Sequence, residues 1–184
     1  MIARLDAQVE QMMIPFARQR DLLVTIPGIG PRVASVVISE IGAQIAEYFT
    51  SDAHLASWAS LCPGNHESAG KRKHGKPRKG NQHLKPALVE AAWAAVHADG
   101  RLKARYHRLV LRFGGYNNKT AKKKAIIAVA HTLIQIIWHV LAEGVPYTEL
   151  GADFYTRRID PQETRRLIAR LEALGHKITL EPAA

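Results

Sequence analysis

Apolar residues recur at spacings of three and four along most of this chain, so its alphabet of elements is helical. Leu5, Val9, Met12 and Met13 predict a first helix, kinked near Pro15 and continued by Phe16, Leu22 and Leu23. After Ile26-Pro27-Gly28-Ile29-Gly30-Pro31, a tight turn, Val33, Ala34, Val36, Val37, Ile38 and Ile41 line a second helix that stops at Gly42. Thr50 or Ser51 caps a short helix through Leu55, Trp58 and Leu61, with Trp58 in the core and Pro63-Gly64 as its stop. Further helices are predicted over residues 84–98, over 101–113 before Gly114-Gly115, and over about 120–142, where the run is long and apolar. In the tail a helix starts at Pro161, carries Leu167, Ile168, Leu171 and Leu174 on one face, and ends before Gly175. No hairpin signal, period-two run or internal repeat competes. The expected fold is all-α or mainly α.

With 184 residues and 20.4 kDa the chain suffices for one hydrophobic core with appended helices. Its start lacks the basic-then-apolar order of a secretory signal, and no run approaches about eighteen uninterrupted apolar residues. These features predict a soluble, cytoplasmic protein that does not engage a membrane. A single cysteine, Cys62, forms no internal disulfide and reads as a small buried apolar residue. The net charge of +10 changes the picture most, because it exceeds what solubility requires and points to polyanions.

That charge is concentrated. One window is a loop holding Lys71, Arg72, Lys73, Lys76, Arg78 and Lys79; the other runs from Arg101 to Lys124 without an Asp or Glu. In the second, Arg101, Arg105, Arg108 and Arg112 fall on one helical face. Lys122, Lys123 and Lys124 sit near the next helix start, where the helix dipole disfavours cations and a bound anion would relieve them. Two such windows suggest two walls of a nucleic-acid channel; the alternative is a solvated charged face. The glycine turn adds a third element. Pro27, Gly28, Ile29, Gly30 and Arg32 fit a helix-hairpin-helix, in which the second helix offers free backbone amides to a phosphate. The same residues also fit a plain connector. Base-excision glycosylases use this hairpin with an aspartate about twenty residues on, near Asp52, but they need preceding helices to build a pocket for a flipped base. Asp52 reads better as a first-turn helix residue.

Ser68 stands at the mouth of the first basic window, a lone hydroxyl among groups that could hold a phosphodiester and offset developing charge. A serine hydroxyl is a poor nucleophile until a base or metal takes its proton. Nearby His66, Glu67 and His74 are the local candidates, each with a plainer reading: Glu67 as a partner of Lys71 or Arg72, the histidines as surface donors. Ser35 and Ser39 lie inside a helix, and Ser57 and Ser60 flank Trp58.

Several ordered blocks then match together: residues 23–30, Ser39-Glu40-Ile41-Gly42, Phe49, Leu61-Cys62-Pro63-Gly64, Ser68-Ala69-Gly70-Lys71, Lys79-Gly80-Asn81, Leu84 and Ala91-Ala92. Over about residues 22–148 this resembles the C-terminal transposase domain of insertion-sequence family 110, which includes the Piv-type DNA invertases. The resemblance implies a DNA transposase or recombinase in which Ser68, by position, joins covalently to DNA. It implies an oligomer acting on double-stranded DNA under a guide RNA, and a RuvC-like acidic domain binding magnesium that has no counterpart in this sequence. Residues 1–21 then correspond to the end of a coiled-coil linker, 22–150 to the transposase domain and 151–184 to a basic tail. On this reading Ser68 alone is inert, and a nonenzymatic nucleic-acid-binding remnant is the rival. The family motif reads Ser-Gly, whereas here Ala69 stands before Gly70, which puts the local backbone geometry in question.

Overall fold

The computed structural model describes residues 2–63, 67–72, 80–157 and 161–179. The architecture is mainly α, as the periodicity predicts. Helix α1 (Ile2–Met13) passes through a 3₁₀ turn at Ile14–Phe16 into α2 (Ala17–Val24). Pro15 causes the interruption, because it removes a donor from the helix ladder. The glycine turn leads to α3 (Pro31–Ile41), which has Pro31 at its first position and Gly42 closing it at φ +78°. A short helix absent from the sequence expectation, α4 (Ile45–Tyr48), precedes α5 (Asp52–Trp58). Ser51, one of the two candidate caps, takes that role and accepts the N–H of His54 at 3.2 Å.

Helix α5 stops at Trp58, earlier than the expected Leu61. The N–H of Leu61 reaches back to the carbonyl of Ala56 at 3.1 Å, with Ser60 at φ +57° where glycine is usual. Trp58 is 41% exposed, so it is not the core residue its spacing predicts; its ring packs edge-on to Phe49 instead. A hairpin also forms where no residue pattern announces one: β1 (Glu67–Ser68) and β2 (Lys71–Arg72) are an antiparallel pair. Two-residue strands are too short to show a period of two.

Helices α6 (Leu84–Ala95), α7 (Arg101–Arg112) and α8 (Lys119–Glu143) complete the core, followed by α9 (Phe154–Arg157) and α10 (Pro161–Ala173). Helix α8 is the axle: it packs against α2, α4, α5, α6 and α7. By length and composition it could cross a membrane, but here its apolar residues, among them Ile126, Leu133, Ile134 and Ile137, fill the protein core. Asn118 caps it by accepting the N–H groups of Thr120 and Ala121. Polar ties fix α5 and the end of α4 against the axle. Gln135 donates to Asp52 at 2.7 Å and Trp138 donates to the carbonyl of Phe49 at 2.9 Å. Asp52 is thus a first-turn residue that joins two helices. By contrast, Leu5, Val9 and Met12 on α1 and Leu167 and Leu171 on α10 remain exposed.

Candidate nucleic-acid interface

The glycine turn is held from inside. Gly28 has φ +84°, and a Cβ there would lie 2.2 Å from the carbonyl oxygen of Ala91 and 2.7 Å from the nitrogen of Ala95. The backbone of α6 fills the space that any larger residue would need. Ile29 is buried, while a Cβ on Gly30 would meet no described residue within 4 Å and Pro31 and Arg32 are exposed. The first intrahelical bond runs from Ala34 N–H to the Gly30 carbonyl at 2.9 Å, so the amides of Arg32 and Val33 precede the helix ladder, at the positive end of α3. One side of the turn packs and the other is available to an anion.

The basic loop springs from a closed root. A Cβ on Gly80 would meet Ser60 Cβ at 2.3 Å and the Ala59 carbonyl at 2.7 Å, so the returning chain presses on the departing one. Asn81 accepts the N–H groups of His83 and Leu84, both at 2.8 Å, and its amide donates to Glu40 on α3. Lys85 Nζ adds a bond to the Ser60 carbonyl at 3.1 Å. The two ends of the basic segment are thereby tied to each other and to α3 and α6.

Ser68 lies in the hairpin. It pairs with Lys71, and Glu67 with Arg72, around a two-residue turn in which Ala69 (φ +51°) and Gly70 (φ +71°) both have positive φ. That is the backbone of a type I′ hairpin turn, whose twist matches that of the flanking strands. Ala69 therefore adopts a conformation that glycine takes more easily. The side chain of Ser68 is exposed, as are Ala69, Gly70 and Lys71. Lys73, Lys76, Arg78 and Lys79, with His66 and His74, lie outside the described residues.

The second basic window is divided between two environments. Arg101 and Arg105 converge on the hydroxyl of Tyr155, at 3.5 and 3.4 Å, and Arg101 also stacks on Phe154 at 4.6 Å. Arg108 lies over the Tyr155 ring at 5.7 Å. Arg101 and Arg105 on the arginine face of α7 are thus overlaid by α9, while Arg108 and Arg112 stay exposed, Arg112 at the helix end where the dipole favours a cation. Burial raises the Tyr155 pKa, but the hydrogen bonds and charges of the two arginines outweigh it and the net shift is downward. The covering segment is anchored by Glu149, whose carboxylate accepts the N–H of Arg101 at 2.8 Å, the N–H of Gly151 at 2.9 Å and the hydroxyl of Tyr147 at 2.9 Å. Tyr147 N–H in turn donates to Thr25 beside the glycine turn. Nothing in the helical periodicity signals Phe154 or Tyr155, which sit some fifty residues from their partners.

Between α7, the first half of α8 and residues 61–63 lies a cleft of about 550 Å³. Lys123 and Lys124 line it, whereas Lys122 does not. Arg105 lines it too, and its Nε is sealed from solvent without a hydrogen-bond partner among the described residues. His131 stands in the same wall, its pKa pushed down by burial and then by Arg105, against a smaller opposing effect of Asp52. Cys62 also lines the cleft, half-buried, with burial raising its thiol pKa.

Known proteins resemble this chain over most of its length. A family profile described as "Transposase IS116/IS110/IS902 family" matches residues 20–107. An insertion element IS110 protein of 43.6 kDa from Streptomyces coelicolor is 34% identical over 128 residues, covering 68% of this chain and 29% of the relative. The pilin gene-inverting protein of Moraxella bovis is 34% identical over 152 residues, covering 79% of this chain and 45% of the relative. A putative transposase of Sinorhizobium fredii is 28% identical over 128 residues, 69% of this chain and 32% of its own length. The chain therefore spans less than half the length of these relatives. The matched segment holds the glycine turn, the loop root, Ser68 and the first turns of α7, and by it this chain belongs to the IS116/IS110/IS902 transposase family.

Proposed function

We propose that this chain is the DNA-binding and nucleophile-bearing part of a recombinase that acts on double-stranded DNA. The observation that carries the reading is the hairpin: Ser68 is exposed beside Lys71 in a tight turn, on a loop whose two ends are locked together at Ser60 and Gly80. A rigid root positions a reactive group better than a free loop does. Ser68 Oγ attacks the phosphorus of a DNA phosphodiester. A phosphoserine ester forms, one phosphorus–oxygen bond to deoxyribose breaks, the serine proton passes to a base, and the departing oxygen gains a proton. Attack by a DNA hydroxyl on the phosphoserine then reseals a strand and restores the serine. Lys71 and its basic neighbours hold the phosphate and offset its charge. The open face of the glycine turn and Arg32 hold backbone farther along.

Among the described residues no cluster of three His, Cys, Asp or Glu side chains could hold a metal ion, so no step is assigned to magnesium on this chain. We assign magnesium to an acidic RuvC-like domain acting on the same DNA, and include in the assembly a guide RNA and further copies of the protein. The test combines this chain with a RuvC-like partner, magnesium, guide RNA and cognate DNA. A covalent protein–DNA adduct is expected, and Ser68→Ala abolishes it without loss of DNA affinity. An adduct that persists in Ser68→Ala, or none in the complete mixture, overturns the nucleophile; salt-dependent binding by the same chain would then mark a purely DNA-binding role.

A further inference from the structure

The cleft beside the loop root has chemistry that phosphate binding alone does not use. Much of its lining is apolar, with Leu61, Phe113, Ile127 and Ala128 among the residues that border it. A backbone-tracking groove needs cations but not an apolar recess. Arg105, Lys123 and Lys124 supply positive charge at the same place, and no carboxylate stands among the described residues that line it. Buried polar N–H groups nearly always have an acceptor, and among the described residues the Nε of Arg105 has none. Tyr155 occupies only the other side of that guanidinium. His131 is held neutral near pH 7 by burial and Arg105, leaving one ring nitrogen to donate and one to accept. Flat apolar body, hydrogen-bonding edge and negative charge are combined in a nucleotide. The volume of about 550 Å³ suits one such group rather than a duplex, whose bases are stacked out of reach.

We infer that this cleft receives one unstacked nucleotide of a DNA strand, its base over Ile127 and Ala128 and its phosphate at Arg105 and Lys123. The inference rests on the proposed DNA-binding role and adds to it a base-holding site. DNA is the assigned source because residues 61–63, one wall of the cleft, lead directly into the segment that carries Ser68. A base held there would keep an adjacent strand from restacking while its phosphodiester is open.

A single-stranded oligodeoxynucleotide bearing one 5-iodouracil, irradiated with the intact chain and mapped by mass spectrometry, tests this. Crosslinks are expected at Phe113 or His131. Ala128→Phe fills the recess and is expected to lower single-strand affinity by about tenfold, as for loss of one stacked base, while duplex affinity stays within about twofold. Should that variant misfold by circular dichroism, the crosslink map of the unaltered chain decides. Crosslinks confined to residues 67–80, or a folded Ala128→Phe chain with unchanged single-strand affinity, overturn the cleft. Tighter binding of the same sequence as RNA overturns the assignment to DNA. Loss of the Ser68 reading leaves a different signature: crosslinks at the cleft with no serine adduct.

Discussion

Two turns in this chain use positive-φ glycine for opposite purposes. At Gly28 the backbone must be bare because the backbone of α6 occupies the place of a side chain. At Gly70 no described residue lies within 4 Å of the point where a Cβ would stand, and the neighbouring Ala69 already carries a side chain at φ +51°. The first glycine is a packing requirement and the second a requirement of local turn geometry alone. One turn is therefore scaffold, and the other an outlying carrier for Ser68 on a fixed root.

The largest effect should follow Gly28→Ala. Strain at positive φ and overlap with α6 together cost about 3–5 kcal/mol. For a chain of this size that lowers Tm by about 10 °C, readable by thermal circular dichroism. A loss of less than about 2 °C would show that the turn can move away from α6, and would erase the contrast with Gly70. Asn81→Ala should come next. It removes the acceptor of two backbone N–H groups and the tie to Glu40, costing about 1–2 kcal/mol in urea unfolding. If stability is unchanged, the loop root is not the fixed base that the Ser68 carrier needs.

These residues also show which parts of the molecule are legible in its sequence. The helices are readable because each carries an apolar stripe with a period near 3.6, buried along Val33 to Ile41 and the face of α8 and exposed on α1 and α10. The hairpin is not, since Ala69-Gly70 lacks the Asn-Gly or Asp-Gly signature and its strands hold two residues each. Four-residue α4 is likewise below the length at which a period emerges. Ser68 stands out through its basic surroundings and the ordered family blocks, whereas the cover on Arg101 and Arg105 depends on Tyr155, brought in from across the fold. Local pattern carries local structure; a partner fifty residues away leaves no periodic trace.

Gly100 sharpens the comparison because its space is filled by a titratable group. A Cβ there would lie 2.7 Å from Glu149 Oε2, so a carboxylate plays the part that α6 backbone plays at Gly28. Burial pushes the Glu149 pKa up, and hydrogen bonds from Arg101, Tyr147 and Gly151 outweigh it to hold the carboxyl below its usual 4.5. A lowered folded pKa means that the unfolded state binds more protons on acidification. The anchoring is thus complete above about pH 4.5 and weakens as pH falls through the lowered value. Proteolysis within residues 145–157 should accelerate below that point, and Glu149→Gln should remove the pH step. An unchanged step would place its origin in another group.

The smallest effect is the one that isolates the hairpin. Ala69→Gly relieves a side chain from positive φ but frees the unfolded chain, so the net gain is about 0.5 kcal/mol. Because the β1–β2 ladder is two residues long and stands clear of the core, this gain should appear locally rather than in Tm. Amide exchange at residues 67–72 should slow by about twofold, while exchange in α6 beside Gly28 stays the same. The distinction matters for reactivity: if the turn restricts how Ser68 reaches phosphorus, Ala69→Gly changes adduct yield in the complete mixture without changing DNA affinity. Slower exchange spreading into α6 would mean that the two turns are coupled, and the division into scaffold and carrier would fail.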